Sequence, residues 1–267
     1  MRPNAIREKL ASGGLTFGTM AFEFFTPGLP SVLAQAGAEW ILLDMEHSGI
    51  GIETIKAQIA ASRGTGLVPM VRVATCAQHL VAPVLDAGAM GVMAPMIETA
   101  EQAANLVRWC RYRPEGIRGL GFNLAHDDYG SGNVVTKMAQ ANARTLVIVQ
   151  IETEQGVENA DKIAAVPGVD VLWIGHFDLS DSMGITGQFD DPRFIKAVES
   201  VVAACRRHGK APGVIATDPA TARVWLDRGF RCFGYGTDIS LLQSGYRAGL
   251  NELLKTQVKK SKTRENK

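Results

Sequence analysis

Trp40-Ile41-Leu42-Leu43-Asp44 is an apolar run closed by a carboxylate, and the stretch Ile52–Arg63 behind it sets Ile52, Ile55, Ile59 and Ala60 at helical spacing. A run too short for a helix, followed by an amphipathic segment, reads as one strand–helix unit. The unit recurs along the chain. Leu15–Met20 precedes Pro27–Gly37, Leu67–Arg72 precedes Gln78–Ala87, and Gly91–Pro95 precedes Thr99–Arg111. Leu146–Ile151 leads to Val157–Val166, Val169–Ile174 to Pro192–Gly209, Ala211–Ile215 to Asp218–Gly229, and Arg231–Tyr235 to Asp238–Leu254. The strands are continuously apolar rather than alternating, as expected when both faces of a sheet are covered. Gly37, Gly66, Gly88, Gly168, Gly209 and Gly229 stand where helices should stop. Eight such units in 267 residues predict an α/β fold, a single-domain (β/α)8 TIM barrel over residues 1–254, with an open doubly wound sheet as the alternative.

Two segments break the rhythm. Tyr112–Asn142 is long and glycine-rich, carries His126-Asp127-Asp128, and has one short helix expected near Val134–Ala141. It reads as a surface excursion or as a lid or interface loop. Residues 255–267 read as a frayed, solvated basic tail with a net charge of +5, which leaves the rest of the chain about four units acidic.

Composition removes several function classes. Twenty-eight basic residues against 27 acidic ones give a net charge of +1, too little field for nucleic acid or an anionic membrane. No apolar run approaches the roughly 18–20 residues of a membrane span, and the first residues lack the apolar core of a secretory signal. Cys76, Cys110, Cys205 and Cys232 are widely spaced with no C-x-x-C pair, which predicts reduced thiols and a cytoplasmic location. Glycine signatures for nucleotide binding and the G-x-S-x-G of serine hydrolases are absent from the sequence.

In a barrel, chemistry sits at the C-terminal ends of the strands. Polar groups gather there: Asp44-Met45-Glu46-His47, Arg72, Gln150 with Glu152, and Gly175-His176-Phe177-Asp178. Glu152 and Asp178 are hard oxygen ligands on neighbouring strands, suited to Mg²⁺ or Mn²⁺, or else ordinary rim carboxylates. His47, three residues past Asp44, is a general base held by a carboxylate or a solvated loop histidine. Arg72 would stabilise a developing oxyanion or neutralise Asp44 or Glu46. His176 and His126 are weaker candidates, and His79 and His208 read as surface residues. No lysine falls within an expected strand or at its end, so imine chemistry is disfavoured.

Leu43-Asp44-Met45-Glu46-His47, Pro69-Met70-Val71-Arg72, Gly116-Ile117-Arg118-Gly119, Gln150-Ile151-Glu152 and Gly175-His176-Phe177-Asp178-Leu179-Ser180 together resemble the HpcH/HpaI family of class II pyruvate aldolases. The likeness runs from about Leu15 to Leu242. The resemblance implies a TIM barrel, a divalent metal (Mg²⁺ or Mn²⁺, with Co²⁺ or Zn²⁺ as further candidates) and reversible retro-aldol cleavage of a 4-hydroxy-2-oxo acid to pyruvate, or a related 2-oxo acid, and an aldehyde. It implies that Glu152 and Asp178 bind the metal and that Gln150 contacts the substrate. The main-chain N–H groups of Phe177 and Asp178 would hold the carboxylate, His47 would be the base, directly or through water, and Arg72 would stabilise the transition state; the residue reading pairs that base with Asp44. Asp86 matches an aspartate that raises the basicity of the histidine. Lying at a helix end, it could do so only from a neighbouring subunit, in keeping with the family's hexamers built from trimers; otherwise it is a solvated helix-end carboxylate. Family members commonly read Gly-Pro-Ala-Asp-Leu-Ser where this chain has His176 and Phe177, which bears on the aldehyde partner. The alternatives are a related metal–enolate lyase acting on a CoA thioester, an oxaloacetate decarboxylase, and a non-catalytic barrel that binds a 2-oxo acid.

Overall fold

Each apolar run forms a strand in the computed structural model, which describes the backbone of residues 1–265 and the side chains of residues 1–255. The strands are β1 (Thr16–Ala21), β2 (Trp40–Asp44), β3 (Val68–Arg72), β4 (Gly91–Ala94), β5 (Leu146–Ile151), β6 (Val171–Ile174), β7 (Ala211–Ala216) and β8 (Cys232–Thr237). All pair in parallel in chain order, and β8 closes on β1. The doubly wound alternative is thereby excluded.

Side-chain alternation divides the strand residues between two cores. Trp40 and Leu42 of β2, Met70 of β3, Met93 of β4, Ile148 of β5 and Trp173 of β6 point inward and fill the barrel. Trp40 meets Trp173 edge-on, with ring centroids 6.0 Å apart. Ile41, Leu43, Val71, Val92, Val147, Val149, Leu172 and Ile174 point outward beneath the helices. The helices on that outer layer are α2 (Leu29–Gln35), α3 (Ile52–Ala61), α4 (Gln78–Asp86), α5 (Ala100–Cys110), α8 (Ala160–Ala164), α10 (Pro192–Arg207) and α11 (Pro219–Asp227). The six glycines expected to end helices all adopt positive φ, from +66° at Gly209 to +108° at Gly88.

Several elements escaped the sequence reading. α1 (Ala5–Ala11) buries Ile6 and Leu10 in the inner core, and its Asn4 cap donates to the Met90 and Arg144 carbonyls at 2.9 and 2.8 Å. It therefore plugs the barrel floor. The helix expected at Val157–Val166 is two pieces, α7 (Glu154–Glu158) and α8, broken at Asn159, whose amide donates to the Glu98 carbonyl at 2.9 Å. A short α9 (His176–Ser182) intervenes between β6 and α10. In the excursion, the helix expected near Val134–Ala141 is α6 (Val134–Arg144), and a 3-10 turn covers Ala125–Asp127. The backbone of α12 runs Asp238–Glu265; nearly all side chains of the expected basic tail, 255–267, lie outside the described residues. Among the described residues no helix is long and apolar enough to cross a membrane.

Candidate active site at the C-terminal mouth of the barrel

The inward parity of Trp40 and Leu42 carries over to Asp44, and that of Met70 to Arg72. These two residues are register partners on β2 and β3. The pairing is realised as an ion pair: Arg72 Nε donates to Asp44 Oδ1 at 2.5 Å, with the carboxylate completely buried. Arg72 Nη1 lies 2.9 Å from Glu46 Oε2 and 3.5 Å from Gln150 Oε1. The Phe22 ring covers the guanidinium, its centroid 5.7 Å from Cζ. A planar cation is thus fixed on four sides with little freedom left to reorganise.

Gln150 and Glu152 share the inward face of β5 and its extension. Gln150 Nε2 donates to Glu152 Oε2 at 2.5 Å, while Glu152 Oε1 accepts from the Met96 N–H at 2.7 Å. Met96 itself takes a left-handed φ of +55° to aim that N–H. Gly175, two residues beyond the inward Trp173, must be a glycine: a Cβ there would stand 2.3 Å from Glu152 Oε2 and 2.9 Å from Gln150 Nε2.

Electrostatics single out Glu152. Burial first, then the nearby carboxylates of Glu46 and Asp178, push its carboxyl up to about 7. Burial likewise raises Glu46, against the pull of Arg72. Three carboxylates crowd the mouth, and Arg72, committed to Asp44, neutralises them incompletely. Such a set of hard oxygens with unsatisfied negative charge fits a divalent cation. Among the described residues no group of three or more His, Cys, Asp or Glu side chains is placed to hold a metal ion, so a cation held by Glu152 and Asp178 would depend on water and substrate for most of its positions.

A pH dependence follows. A carboxyl with a folded pKa near 7 is protonated below that point, and a metal must displace the proton. Metal affinity should therefore fall by about tenfold per pH unit below 7 and level off above it. For the metal-free protein the sign is opposite: the raised pKa contributes stability below the ordinary carboxyl value, which is lost as pH rises through 7. Calorimetric titration of Mn²⁺ at pH 6, 7 and 8 checks the first statement; an affinity independent of pH would contradict it.

One expectation is corrected. Asp44 does not hold the His47 imidazole. The turn after β2 points its carboxylate at the backbone, where Oδ2 accepts the His47 N–H at 2.8 Å and Oδ1 the Glu46 N–H at 3.3 Å. The imidazole is largely exposed, and its carboxylate neighbour is Glu46, 3.7 Å away. Glu46 is the group that the sequence reading undervalued. Its spacing of two from Asp44, which continues the inward parity, was the available signal. Phe22 and Gly175 carried no such signal, because each acts through shape.

The other candidates separate cleanly. Asp178 is exposed at the start of α9, beside the exposed ring of Phe177. His176 is half-buried between Phe177 and Phe189, with centroids 4.6 and 5.1 Å away, and loss of solvent pushes it down to about 4, so it stays neutral. His126 is buried under the excursion, its Nε2 2.6 Å from the Gly121 carbonyl, and His208 pairs with Asp161 on the surface. Asp86 ends α4, outside the cluster that surrounds Arg72, and pairs with Arg118 at 2.7 Å. No lysine lies in a strand among the described residues.

Comparison with known proteins gives a consistent picture. The family model for HpcH/HpaI aldolase/citrate lyase matches residues 23–244. The chain is 38% identical over 247 residues to a hydroxypyruvate/pyruvate aldolase of Roseovarius nubinhibens, covering 92% of this chain and 95% of that one. It is 34% identical over 242 residues to a 5-keto-4-deoxy-D-glucarate aldolase of Klebsiella pneumoniae, covering 91% and 93%. The crystal structure of an HpcH/HpaI aldolase from Desulfitobacterium hafniense superposes with a TM-score of 0.89 at 29% identity, covering 94% of this chain and 97% of that one.

Proposed function

The chain belongs to the HpcH/HpaI aldolase/citrate lyase family of carbon–carbon lyases, and from that premise we propose that it is a class II aldolase cleaving a 4-hydroxy-2-oxo acid reversibly to pyruvate, or a related 2-oxo acid, and an aldehyde. The observation that carries the reading is the buried Arg72 guanidinium, held between Asp44, Glu46 and Gln150 beside the crowded carboxylates of Glu152 and Asp178.

Glu152 and Asp178 would hold the divalent metal, Mg²⁺ or Mn²⁺. When bound, it supplies Lewis-acid polarisation of the 2-oxo acid. The chain's own groups do the rest. Gln150 Nε2 orients Glu152 and turns its amide toward the substrate. The N–H groups of Phe177 and Asp178, at the start of α9, hold the substrate carboxylate. His47 stands exposed at the rim with Glu46 beside it, and takes the proton of the C4 hydroxyl directly or through one water. Loss of that proton breaks C3–C4 and releases the aldehyde. The electron pair moves onto the 2-oxo oxygen, where Arg72 meets the developing charge without having to reorganise. Solvent water reprotonates C3 to give pyruvate, and the proton held by His47 returns to solvent to restore the base.

Asp86 would act on His47 of a neighbouring subunit, which makes the working form a homo-oligomer, a hexamer built from trimers. The described cysteines are free thiols, in keeping with a cytoplasmic enzyme. Partners are the small 2-oxo acid and aldehyde rather than nucleic acid or membrane.

The test is pyruvate release, followed by a coupled assay, from a panel of linear dicarboxylic, sugar-derived and aromatic-ring-derived 4-hydroxy-2-oxo acids with Mg²⁺ or Mn²⁺. Turnover of at least one member supports the reading; silence across the panel with tight binding of pyruvate would favour a non-catalytic barrel. His47→Ala should slow cleavage by about 100–10,000-fold, the usual worth of a general base. Exchange of the pyruvate methyl protons should survive in that variant, because it does not require the C4 hydroxyl. Unchanged cleavage would remove His47 from its role.

A further inference from the structure

On the opposite side of the mouth from Glu152, the end of β8 carries a buried carboxylate that the reaction scheme does not use. Asp238 is 5% exposed. Its Oδ1 accepts the Phe22 N–H at 3.1 Å and the Ile239 N–H at 3.0 Å; its Oδ2 accepts the Glu23 N–H at 2.9 Å and the Phe24 N–H at 2.7 Å. Three consecutive backbone donors of the β1–α2 loop thus converge on one side chain. The first α12 turn is fixed separately, by Thr237 N–H to Ser240 Oγ at 2.8 Å and Ser240 N–H to Thr237 Oγ1 at 3.1 Å. With its own helix start secured by those two residues, Asp238 is released to serve the loop.

The backbone explains how it arrives there. The β1–β8 register slips between Gly18 and Met20, so that Met20 faces Thr237. Gly236 takes a φ of +67° at the slip, and a Cβ there would press on Leu241 at 2.7 Å. Thr19 Oγ1 donates to the Gly236 carbonyl at 2.8 Å and locks the distortion. The chain leaves β8 turned toward β1, and Asp238 meets the loop.

What the loop presents is Phe22. Its ring packs on the inner core and covers Arg72. The remaining neighbours of the guanidinium, Asp44, Glu46 and Gln150, lie on β2, the turn after it, and β5. Phe22 restrains it from the β1 side, and the backbone at Phe22 is tied to Asp238. We propose that Asp238 is a positioning residue for the cleavage step: its carboxylate pins residues 22–24 so that Phe22 holds Arg72 in place. The proposal rests on the role given to Arg72 above.

The probe is pyruvate with Mg²⁺ in D₂O, with methyl-proton exchange followed by NMR, a reaction that needs Arg72 but no aldehyde. Wild-type exchange and its loss in Arg72→Ala protein that circular dichroism shows to be folded, or its reduction in folded Arg72→Lys, establish the Arg72 role; exchange unaffected by both changes would sink that role and the proposal's premise, not the Asp238 contacts. Given that role, Asp238→Asn keeps the Oδ1 acceptor and turns an NH₂ toward two backbone donors. It should lower the maximal exchange rate by about 10–100-fold, as a misplacement near 1 Å does, with the KM for pyruvate and the Mg²⁺ dissociation constant within about twofold. The deficit should shrink in an Arg72→Lys background, because the two changes damage one interaction. If Asp238→Asn does not fold, Phe22→Leu decides: it removes the ring and leaves the carboxylate contacts, and should show the same loss at unchanged metal affinity. A folded Asp238→Asn or Phe22→Leu with wild-type rate, or deficits that multiply fully with Arg72→Lys, would overturn the proposal.

Discussion

Arg72→Ala is expected to lower kcat by roughly 100–1000-fold while leaving metal affinity within about twofold, the signature of a group that meets charge only as it develops. The magnitude corresponds to about 3–4 kcal/mol, the usual worth of one donor aimed at an oxyanion. The geometry adds a complication that must be separated from catalysis. Asp44 is completely buried and its cationic partner is Arg72. Truncating Arg72 strands that carboxylate, which commonly costs about 3–5 kcal/mol of stability. Arg72→Lys resolves the ambiguity. It keeps a charge for Asp44 but cannot span Asp44, Glu46 and Gln150 with one planar fork. A folded Arg72→Lys protein should still lose roughly tenfold or more in kcat, since one short-range contact of the fork is then misdirected. Circular dichroism and thermal unfolding monitor the fold; steady-state kinetics give the rest. Wild-type kcat in a folded Arg72→Lys protein would mean that the guanidinium is structural.

Glu152→Gln should remove metal-dependent turnover while stabilising the metal-free protein above pH 7. The two outcomes have one cause. Burial together with Glu46 and Asp178 holds the Glu152 carboxyl near 7, so at pH 8 the metal-free site must carry a charge that its surroundings disfavour. A glutamine is isosteric and carries no charge; its oxygen still accepts from the Met96 N–H, and its NH₂ requires the Gln150 amide to turn over and accept where it now donates. The melting temperature of the metal-free variant should therefore exceed that of the wild type at pH 8, with the gap narrowing as pH falls through 7 and closing near the ordinary carboxyl value of about 4.3, below which the wild-type carboxyl is protonated folded and unfolded alike. The stabilisation that added Mg²⁺ or Mn²⁺ gives the wild type should disappear. Lower stability for Glu152→Gln at pH 8 would place Glu152 among structural carboxylates.

A sequence carries signals that act over a few residues and hides relations between distant ones. The barrel was legible because its strands are buried on both faces and its helices stop at glycines, two signals that act over a few residues. Asp44, Arg72, Gln150 and Glu152 were legible for a related reason: a polar residue ending an apolar run in a closed barrel has only the mouth to face. Missing were relations between distant residues. The pairing of Arg72 with Asp44 was one of the readings the sequence left open, but nothing near Asp44 indicates that two backbone N–H groups take up the rest of its carboxylate, leaving His47 to Glu46. Nothing near Gly175 reveals that its hydrogen makes room for Glu152 on the next strand. The grip of Asp238 on residues 22–24 depends on closure of β8 against β1, the last event that the linear order can disclose. α1 was unread because its burial comes from capping a cavity that exists only once the barrel has closed.

The central claim is that this mouth performs a metal-dependent carbon–carbon cleavage. It is tested most directly by pyruvate release from the best 4-hydroxy-2-oxo acid of the panel, measured on protein stripped with EDTA and again after adding back Mg²⁺ or Mn²⁺. The account predicts loss of activity on stripping, recovery on addition, and no recovery in Glu152→Gln. Full activity in the stripped wild-type protein would contradict it.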